Sequence, residues 1–578
     1  MEDYRARYEE WLNDPYFDEG TKAELKAIAD DENEIKERFY MDLEFGTAGL
    51  RGIIGAGTNR MNIYVVRKAT QGLANYILKV GAEAKGVAIA HDSRRMHDEF
   101  TECAALTLAA NGIKAYVFDA LRPTPELSYA VRHLGCIAGI NITASHNPPE
   151  YNGYKVYWED GAQITPPHDS GIMAEVKAIT EYSACKTMDK QEAIDKGLYV
   201  VIGEEVDNDY LAELKKNVLH PEAIRDQARN LKIVYTPLHG TGLVPAVRVL
   251  KELGFENVIV VPEQEKPDGD FPTVSYPNPE AEEAFALGLK LAEETGADLV
   301  LATDPDADRL GVRVRDKEGV YHTLTGNMSG SLLADYEIGQ TKALKGLPSD
   351  GLLIKTIVTT NLADAICKYY GVAEYECLTG FKWIGRQILK MENEKKGTYL
   401  FGFEESYGCL IGTHARDKDA IVAVMALCEA AAYYKTKDMT LWDAMLDLYE
   451  RCGYYKDDIK SVGLAGIEGL QKIQQIMATL REEPLKELAG YKVLKVRDYQ
   501  KDTILDLQTG TETDTGLPKS NVLYYEMTDD AWLCVRPSGT EPKIKFYYGV
   551  VGNSLEDADA KSEAFGAEVL AVIDEMLK

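Results

Sequence analysis

Short apolar runs alternate with amphipathic segments over most of the chain, and the alternation repeats three times. In the first round, the apolar runs Val87–Ala90, Lys114–Phe118 and Ile137–Ile142 predict strands. The segments between them, Phe100–Ala110 and Pro125–Gly135, predict helices that stop at or just before a glycine. Alternating strands and helices are typical of a wound α/β domain.

The second and third rounds repeat this pattern. The second predicts three strands and two helices, which in chain order are Leu231–Tyr235, Val244–Leu253, Val258–Val261, Glu280–Thr295 and Asp298–Ala302. The third predicts two strands and two helices, which in chain order are Leu352–Ile354, Leu362–Tyr370, Tyr399–Phe401 and Ala420–Tyr434. Gly254 and Gly296 directly follow the two helices of the second round, as expected at helix C-termini.

The last part of the chain has a different pattern. It contains an amphipathic segment at Leu470–Leu480, two apolar runs at Val522–Tyr525 and Trp532–Val535, and a closing helix at Leu555–Leu577. This order predicts a separate α+β domain. A chain of 578 residues exceeds what one hydrophobic core supports, so three to five domains are expected.

Composition and charge exclude several classes of protein. The formal net charge of −30 disfavours binding to nucleic acid and to anionic membranes. No apolar run approaches the length of a membrane span, and the charged start does not resemble a targeting segment, so we expect a cytoplasmic protein. The nine cysteines are scattered without a Cys-x-x-Cys pair, which argues against a cysteine-ligated zinc site and against a disulfide redox site.

An anionic substrate would need a local basic pocket in so acidic a chain. Basic residues inside loops could supply it, namely Arg51, Arg94, Lys155, Arg309, Lys382, Arg416, Arg536 and Lys543.

Three loops rich in reactive groups each follow an apolar strand directly. They span residues 143–154, 304–309 and 404–408. Ligands of open α/β sheets bind beyond the carboxyl ends of the strands. The three loops, one from each round, could therefore converge on one cleft.

The second loop carries a set of carboxylates, Asp304, Asp306 and Asp308, followed by Arg309. Carboxylates at alternate positions of an extended turn can point the same way, and hard oxygen ligands suit Mg²⁺. An acidic, solvated turn is the alternative. The spacing excludes an EF-hand, because Arg309 stands where that loop needs glycine and Arg315 where it needs glutamate.

The first loop places Ser145 next to His146, with Lys155 ten residues further on. Pro148 and Pro149 force the loop away from helix, which exposes the serine as a candidate nucleophile. A Ser-His pair taken alone is more often structural, since serine and asparagine are ordinary turn residues. The loop is not the Gly-x-Ser-x-Gly elbow of acyl hydrolases.

Three further loops could contact a phosphosugar. The loop from Arg536 to Lys543 has the guanidinium, hydroxyls and glycine of a phosphate cradle. The loop 402–408 could hold sugar hydroxyls through Glu404 and Ser406, and 45–52 is a glycine cluster around Arg51. The alternatives are a surface turn for the first loop, a hairpin turn for 402–408 and a merely flexible segment for 45–52. The glycine cluster matches neither the dinucleotide fingerprint nor the Walker loop.

In this order and spacing, the loops 143–148, 304–309, 402–408 and 536–540 resemble those of the α-D-phosphohexomutase superfamily. The resemblance runs from about Phe45 to the end and is strongest to the phosphoglucomutase and phosphopentomutase-like members. One departure is Ala307, which stands where glycine is common in relatives and leaves every ligand in place.

The resemblance implies four domains around a central cleft, three of related mixed α/β fold and a fourth like the TATA-binding protein. The expected borders are residues 41–205, 206–325, 326–455 and 456–578, after an N-terminal helical extension at 1–40. The extension carries no recognisable motif.

The resemblance also implies an intramolecular phosphotransferase, an isomerase of carbohydrate metabolism that acts as a phosphoprotein. Phosphorylated Ser145 would complete the Mg²⁺ shell with Asp304, Asp306 and Asp308. It would convert α-D-glucose 1-phosphate to glucose 6-phosphate through glucose 1,6-bisphosphate. Lys155 and His146 would be the general acid and base, with Arg51 near the phosphate.

The substrate would be held by residues from four loops, namely Arg309, Thr379, Gly380, Lys382, Glu404, Ser406, Arg536, Ser538, Gly539 and Thr540. The expected partner is a small phosphosugar, with no nucleic acid or membrane, and the enzyme is expected to be a monomer or small homo-oligomer. Mannose or pentose phosphates stay open as substrates. A haloacid-dehalogenase-like phosphatase with Asp304 as nucleophile, and a silent sugar-phosphate sensor, are the alternatives from other classes.

Overall fold

The computed structural model describes residues 4–43, 49–464, 466–538 and 543–577. The chain forms two compact units. The first contains Met1–Gly326, Phe381–Lys396 and Ser406–Leu441. The second contains Asn327–Gly380, Gly397–Glu405 and Trp442–Lys578.

The first unit begins with three short helices, α1 (Tyr4–Asn13), α2 (Glu19–Ala27) and α3 (Glu32–Phe39). Their apolar sides bury an aromatic cluster in which Trp11 stacks on Phe17 with ring centroids 4.2 Å apart. Tyr64, outside these helices, belongs to the same cluster. The helices therefore pack against the body of the first unit.

A six-stranded sheet follows, with helices between its strands. Its elements are β1 (Leu50–Ile53), α4 (Ile63–Lys79), β2 (Val87–His91), α5 (His97–Ala110), β3 (Ala115–Phe118), α6 (Thr124–His133), β4 (Ala138–Ile142), β5 (Tyr151–Trp158), α7 (His168–Lys177), α8 (Lys190–Asp195) and β6 (Tyr199–Ile202). The strand order is β1-β5-β4-β2-β3-β6. β2, β3, β4 and β6 are parallel, whereas β5 runs antiparallel to β4 and β1.

A five-stranded sheet forms the next layer of the first unit. Its elements are α9 (Glu204–Lys215), α10 (Pro221–Gln227), β7 (Lys232–Thr236), α11 (Leu243–Leu253), β8 (Asn257–Val260), α12 (Glu282–Thr295), β9 (Leu299–Thr303), β10 (Leu310–Arg315) and β11 (Tyr321–Leu324). The order is β11-β10-β9-β7-β8, and β10 returns antiparallel to β9. Gly254 and Gly296 end α11 and α12 in the left-handed conformation, as predicted.

The third round of the sequence contributes to both units. Its elements are α13 (Gly326–Lys345), β12 (Gly351–Thr356), α14 (Leu362–Tyr370), β13 (Ala373–Cys377), α15 (Phe381–Glu394), β14 (Thr398–Glu404), β15 (Gly408–Leu410), α16 (Ala420–Lys435) and α17 (Leu441–Cys452). In the second unit, β12 is parallel to β13 and to β14. In the first unit, α16 packs against α10 and α11.

The rest of the second unit is an antiparallel sheet with two long helices. Its elements are β16 (Tyr454–Gly463), α18 (Gly466–Glu482), β17 (Glu487–Leu488), β18 (Tyr491–Asp498), β19 (Thr503–Asp506), β20 (Glu512–Thr513), β21 (Leu523–Met527), β22 (Trp532–Pro537), β23 (Lys543–Gly552) and α19 (Leu555–Leu577). The order is β16-β23-β22-β21-β18-β19-β20. Both helices contact β23, and their apolar faces complete one core with the sheet.

The predicted fold class is confirmed, with three mixed α/β regions followed by an α+β region. Two details differ. The first reactive loop is shorter than predicted, because β5 already begins at Tyr151. The helices that were not predicted are α4, α7, α8, α9, α10, α13, α15 and α17. The four domain borders stay predictions.

Two features of the structure bear on the composition, namely the state of the cysteines and the hydropathy of the helices. All nine cysteines are free, and all except Cys452 are buried. Among the described residues, no helix is both long and apolar enough to cross a membrane.

Candidate active site

Ser145 lies in the turn between β4 and β5, at the carboxyl end of a buried strand. Its backbone φ of 54° is in the left-handed region, which is uncommon for serine. The Ser145 N–H donates to the Thr143 hydroxyl at 2.8 Å. Strained backbone held by its surroundings is a mark of functional turns, so this turn is built to fix one serine.

A buried guanidinium secures this turn from beneath. Arg94 is fully buried and donates to the carbonyl oxygens of Ser145 at 2.7 Å, Pro148 at 2.8 Å and Tyr151 at 2.9 Å, and also to that of Asn147. The adjacent Asp92 carboxylate lies 3.4 Å from the Arg94 guanidinium. Arg94 therefore satisfies four carbonyl groups that water could not reach.

The three aspartates lie in the tight connection between β9 and β10. One ligand oxygen from each lies within 4.8 Å of the others, and all three side chains are buried. Asp304 Oδ1 accepts the backbone N–H groups of Asp308 at 3.2 Å and Arg309 at 3.0 Å. Ala307, at the apex, has a φ of 49°.

A second loop supports the aspartate loop and was not singled out from the sequence. It connects β7 to α11, and its Thr241 donates to the Pro305 carbonyl through both its N–H at 2.8 Å and its hydroxyl at 2.9 Å. A Cβ on Gly240 would lie 2.4 Å from the Pro305 Cα, so only glycine fits there. The signal available in the sequence was the pair of glycines at 240 and 242 directly after a strand.

The serine and the aspartates form one site. The Ser145 hydroxyl donates to Asp304 Oδ2 at 2.8 Å. His146 Nδ1 lies 3.2 Å from the same hydroxyl. The sequence-based prediction that loops 143–154 and 304–309 converge is therefore confirmed by direct contact.

Two lysines neutralise the aspartates. Lys155 Nζ lies 2.7 Å from Asp306 Oδ2 and 3.8 Å from Asp308 Oδ2. Lys418 Nζ lies 3.1 Å from Asp308 Oδ2, and the Thr124 hydroxyl donates to Asp306 at 2.6 Å. Lys418 and Thr124 were missed, because both lie far along the chain from the recognisable motifs.

The surroundings lower the pKa of Asp306 and raise the pKa values of Asp304 and Asp308. Burial opposes ionisation of Asp306, but the Lys155 ammonium lowers its pKa below the usual range. Burial raises the pKa of Asp304, and the carboxylates of Asp306 and Asp308 raise it further. The pKa of Asp308 is also raised by burial and by Asp306. Mutual repulsion therefore opposes the simultaneous ionisation of all three carboxyl groups unless a further positive charge is present.

The donor set fits a divalent cation. Asp306 Oδ1 and Asp308 Oδ1 are buried, and neither has a hydrogen-bond partner within the described part of the chain. Buried acceptors without partners are rare in folded proteins and call for an explanation such as a bound ion. An all-oxygen set of this kind suits Mg²⁺.

Arg51 and Arg309 supply positive charge near the serine. Arg51, on β1, donates to Asn147 at 3.3 Å, and Arg309 donates to Glu280 at 3.0 Å. Burial lowers the pKa of His146, and the charges of Arg309 and Arg51 lower it further. The imidazole next to Ser145 is therefore neutral.

Two residues of the predicted basic pocket are structural instead. Arg94 donates to backbone carbonyl groups as described. Arg416 is fully buried and donates to the Ala415 carbonyl at 2.9 Å and to Glu392. Both guanidinium groups donate hydrogen bonds to loop carbonyl oxygens, because buried carbonyl groups need hydrogen-bond partners.

The remaining predicted substrate-binding residues are divided between the two units. In the second unit, Glu404 accepts the Gly380 N–H at 2.9 Å, and the Thr379 hydroxyl oxygen is buried without a partner among the described residues. In the first unit, Lys382 is the second residue of α15 and Ser406 lies in the turn before β15.

The phosphate-cradle loop is described only in part. Arg536 lies at the end of β22, and the Ser538 N–H donates to the Lys543 carbonyl at 2.8 Å. Gly539, Thr540 and the first part of the glycine cluster, residues 45–48, lie outside the described residues. Their predicted roles stay predictions.

Three family models match the chain in sequence. They describe the α/β/α domains I, II and III of phosphoglucomutase/phosphomannomutase and match residues 42–183, 208–319 and 325–452. A phosphoglucomutase of Staphylococcus epidermidis is 38% identical over 536 residues, which cover 91% of this chain and 95% of the relative. A phosphoglucomutase of Staphylococcus aureus is 36% identical over 544 residues, covering 93% and 96%.

Solved structures share the fold at lower identity. The open form of parafusin from Paramecium, a phosphoglucomutase, has a TM-score of 0.67 at 19% identity and covers 93% of this chain and 95% of its own. A phosphoglucomutase/phosphomannomutase family protein of Burkholderia thailandensis has a TM-score of 0.62 at 19% identity and covers 92% and 98%.

Proposed function

Because the chain belongs to the phosphoglucomutase/phosphomannomutase family, we propose that it is a phosphoglucomutase. It interconverts α-D-glucose 1-phosphate and glucose 6-phosphate, with phosphorylated Ser145 as the donor and glucose 1,6-bisphosphate as the intermediate. It is an isomerase of the intramolecular phosphotransferase type.

The observation that carries the mechanism is the contact between Ser145 and the aspartates. A serine hydroxyl 2.8 Å from a carboxylate of a buried acidic cluster is where a phosphoryl group could bridge nucleophile and metal. Phosphoryl transfer depends mainly on alignment and neutralisation of charge. The site has both, because the Ser145 turn is fixed by Arg94 and cations flank it on several sides.

The two transfers balance as follows. In the first, the bond between phosphorus and the sugar 6-oxygen forms while the Ser145 Oγ–phosphorus bond breaks, and the proton of the sugar hydroxyl ends on Ser145 Oγ. The bisphosphate then turns over within the site. In the second, the 1-phosphate moves to Ser145 Oγ, which gives its proton to the sugar 1-oxygen. Glucose 6-phosphate leaves and the phosphoenzyme is restored.

The proton at Ser145 Oγ moves through His146 in this proposal. Its Nδ1 lies 3.2 Å from the hydroxyl and its imidazole is neutral, so it can accept the proton and return it. Lys155 instead faces Asp306 and Asp308, where its ammonium neutralises charge. Of the two residues expected to act as general acid and base, the proposal therefore assigns the proton to His146 and charge neutralisation to Lys155.

Asp304, Asp306 and Asp308 are the residues that would hold Mg²⁺, together with a phosphoryl oxygen on Ser145. When bound, the ion supplies positive charge that neutralises the phosphoryl oxygens. The unpartnered oxygens of Asp306 and Asp308 support this assignment. Lys418 and Thr124 keep the two carboxylates in place.

The sugar is assigned to residues outside this centre. Glu404 and Ser406 would bind its hydroxyl groups, and Thr379, Gly380, Lys382 and Arg309 would bind further parts of the substrate. Arg536, Ser538, Gly539 and Thr540 would bind the phosphate that is not transferred. The buried Thr379 hydroxyl, which lacks a partner among the described residues, supports a polar ligand there.

The phosphatase alternative is not supported by the geometry. One oxygen of Asp304 accepts two backbone N–H groups and the other accepts the Ser145 hydroxyl. An aspartate nucleophile needs a free oxygen facing the substrate. Ser145, in contrast, presents its hydroxyl in a strained turn.

Kinetics on three sugars test the substrate. We expect kcat/KM to be highest on glucose 1-phosphate, with mannose and ribose 1-phosphates as comparisons and catalytic glucose 1,6-bisphosphate present. A tenfold preference for ribose 1-phosphate, equivalent to about 1.4 kcal/mol, would contradict the glucose assignment.

Ser145→Ala tests the nucleophile. Turnover should be abolished while the thermal unfolding temperature stays near wild type. Ser93→Ala is the matched control, because the Ser93 hydroxyl is buried nearby without a partner among the described residues. Substantial mutase activity in Ser145→Ala, or equal loss in Ser93→Ala, would contradict the mechanism.

A further inference from the structure

A second group of metal-ligand side chains lies at the corner between β2 and α5, apart from the active-site aspartates. His91, His97 and Asp98 each offer a ligand atom, and these atoms lie within 4.8 Å of one another. Across the described ranges, this group and the Asp304 group are the two clusters of their kind. The group has no part in the proposed phosphoryl transfer.

His91 is prepared as a metal ligand by its surroundings. It is the last residue of β2 and only 5% exposed. Its Nδ1 lies 2.8 Å from the Asp92 carbonyl oxygen, to which it donates, so Nε2 carries the free lone pair. Histidines that bind metals commonly donate their other nitrogen to a carbonyl or carboxylate in this way.

His97 and Asp98 complete the group from the first turn of α5. The His97 ring stacks on the His91 ring, with centroids 4.5 Å apart and planes 9° apart. His97 Nδ1 is buried and makes no hydrogen bond with any described residue, although Asp98 Oδ1 is 3.1 Å away. A buried nitrogen without a partner, next to a carboxylate, points to a ligand.

We propose that His91, His97 and Asp98 bind a divalent transition-metal ion of the zinc class. Two imidazoles and one carboxylate, with an open position for water, are a donor set that suits zinc and disfavours Mg²⁺, which prefers oxygen ligands. Parallel rings cannot both aim at one ion, so binding requires His97 to rotate. The side chains of His97 and Asp98 are 30% and 82% exposed and have room to do so.

The neighbouring positive charge is already compensated. Two cations among the described residues lie near this corner. One is Lys190, whose ammonium binds Glu102 at 2.6 Å. The other is Arg122, whose backbone N–H donates to the His91 carbonyl at 3.1 Å. Its guanidinium binds Asp207 at 2.7 Å and Asp119 at 3.0 Å. An incoming divalent ion therefore does not meet an uncompensated guanidinium.

The corner is joined to the support of the catalytic turn. Asp92, the next residue after His91, accepts the Thr143 hydroxyl at 2.5 Å, and Thr143 in turn accepts the Ser145 N–H. An ion that fixes the end of β2 to α5 would stiffen the strand end that carries Asp92. We therefore expect zinc to raise the unfolding temperature of the protein, because it binds the folded state alone.

Zinc titration of the full-length protein tests the site. Saturating Mg²⁺ is kept present so that oxygen sites are occupied, and Zn²⁺ affinity is measured by competition with a chromophoric chelator. Wild type should bind one Zn²⁺, and His97→Ser should weaken that binding at least tenfold. His133→Ser is the matched control, since His133 is a surface histidine 3.3 Å from Asp209 that belongs to neither group of metal-ligand side chains among the described residues. Its binding should equal that of wild type.

Two results would overturn the site. The first is that wild type binds Zn²⁺ no more tightly than His97→Ser does. That result would be obtained if the active-site aspartates alone held the zinc. The other is equal weakening in His133→Ser. Asp98→Asn, at an exposed position, provides a second variant that should also weaken binding if His97→Ser proves unstable. This test stands apart from the proposed mutase activity.

Discussion

Two residues of the candidate active site have backbone conformations that most side chains avoid. Ser145 and Ala307 both have left-handed φ values, 54° and 49°. Each stands at the apex of a loop whose neighbouring groups converge on the Asp304 carboxylate. Left-handed backbone costs an L-residue about 1–2 kcal/mol, so the surrounding hydrogen bonds must hold both turns in place.

Ala307 offers a test of this strain at the residue scale. Ala307→Gly should keep full activity and change the free energy of unfolding by less than about 1 kcal/mol, because relief of the left-handed strain offsets the greater freedom of glycine in the unfolded chain. Ala307→Val should lower it by more than about 2 kcal/mol, because a branched side chain fits neither this φ nor a fully buried site. Denaturant unfolding measures both. Equal stability of the two variants would contradict the strained-turn account.

At the scale of elements, two loops and their supports build the site. The Ser145 turn depends on Arg94, which lies in the loop after β2, and the aspartate loop depends on the loop after β7. The supporting residues are buried and bond to backbone carbonyl groups. These side chains therefore position the two loops, and the candidate reacting groups lie on the loops that they position.

Arg94→Lys tests this support. An ammonium cannot reach the four carbonyl groups that the guanidinium satisfies, and each buried group left unpaired costs about 1–3 kcal/mol. We expect the rate of phosphoryl transfer from Ser145 in a single turnover to fall at least tenfold, with a lower unfolding temperature. Arg95→Lys is the control, because Arg95 is exposed and pairs with Asp270. An unchanged single-turnover rate in Arg94→Lys would contradict the positioning role.

The sequence predicted the reacting groups better than the groups that hold them. Ser145, Asp304, Asp306, Asp308 and Lys155 follow apolar strands in short motifs, and motif and strand end together predicted their convergence. Arg94 was predicted only as a basic residue of the substrate pocket, and Lys418 was not predicted, because their contacts are with residues distant along the chain. The antiparallel β5 was also missed, since its residues directly follow the reactive turn and were included in the loop.

At the scale of the whole molecule, acidic side chains are buried in both units. In the second unit, burial raises the pKa of Glu374 to about 8, and its Oε1 has no hydrogen-bond partner in the part of the chain that the structure describes. The nearby Lys355 ammonium opposes this shift, whereas Asp364 and Glu376 add to it. The folded protein therefore keeps a proton on Glu374 that the unfolded chain releases near pH 4.5.

This difference predicts a pH dependence of stability. Because the folded state binds the extra proton, the contribution of Glu374 to stability is largest below pH 4.5 and falls as the pH rises towards 8. Glu374→Gln replaces the carboxyl group with a neutral amide that does not titrate, so only wild type loses this contribution as the pH rises. The stability of the variant relative to wild type should therefore be greater at pH 8 than at pH 5. Denaturant unfolding at both values measures it. If the difference in the free energy of unfolding between the two proteins is the same at pH 5 and at pH 8, the raised pKa of Glu374 is contradicted.

The phosphorylation state of Ser145 tests the central claim most directly. Dephosphorylated protein is incubated with Mg²⁺ and glucose 1,6-bisphosphate and then analysed by peptide mass spectrometry, before and after treatment with acid and with hydroxylamine. The account predicts one phosphoryl group on Ser145, stable to both treatments, and mutase activity that rises with its occupancy. A hydroxylamine-labile phosphoryl group on Asp304, or full mutase activity without phosphate on Ser145, would contradict it.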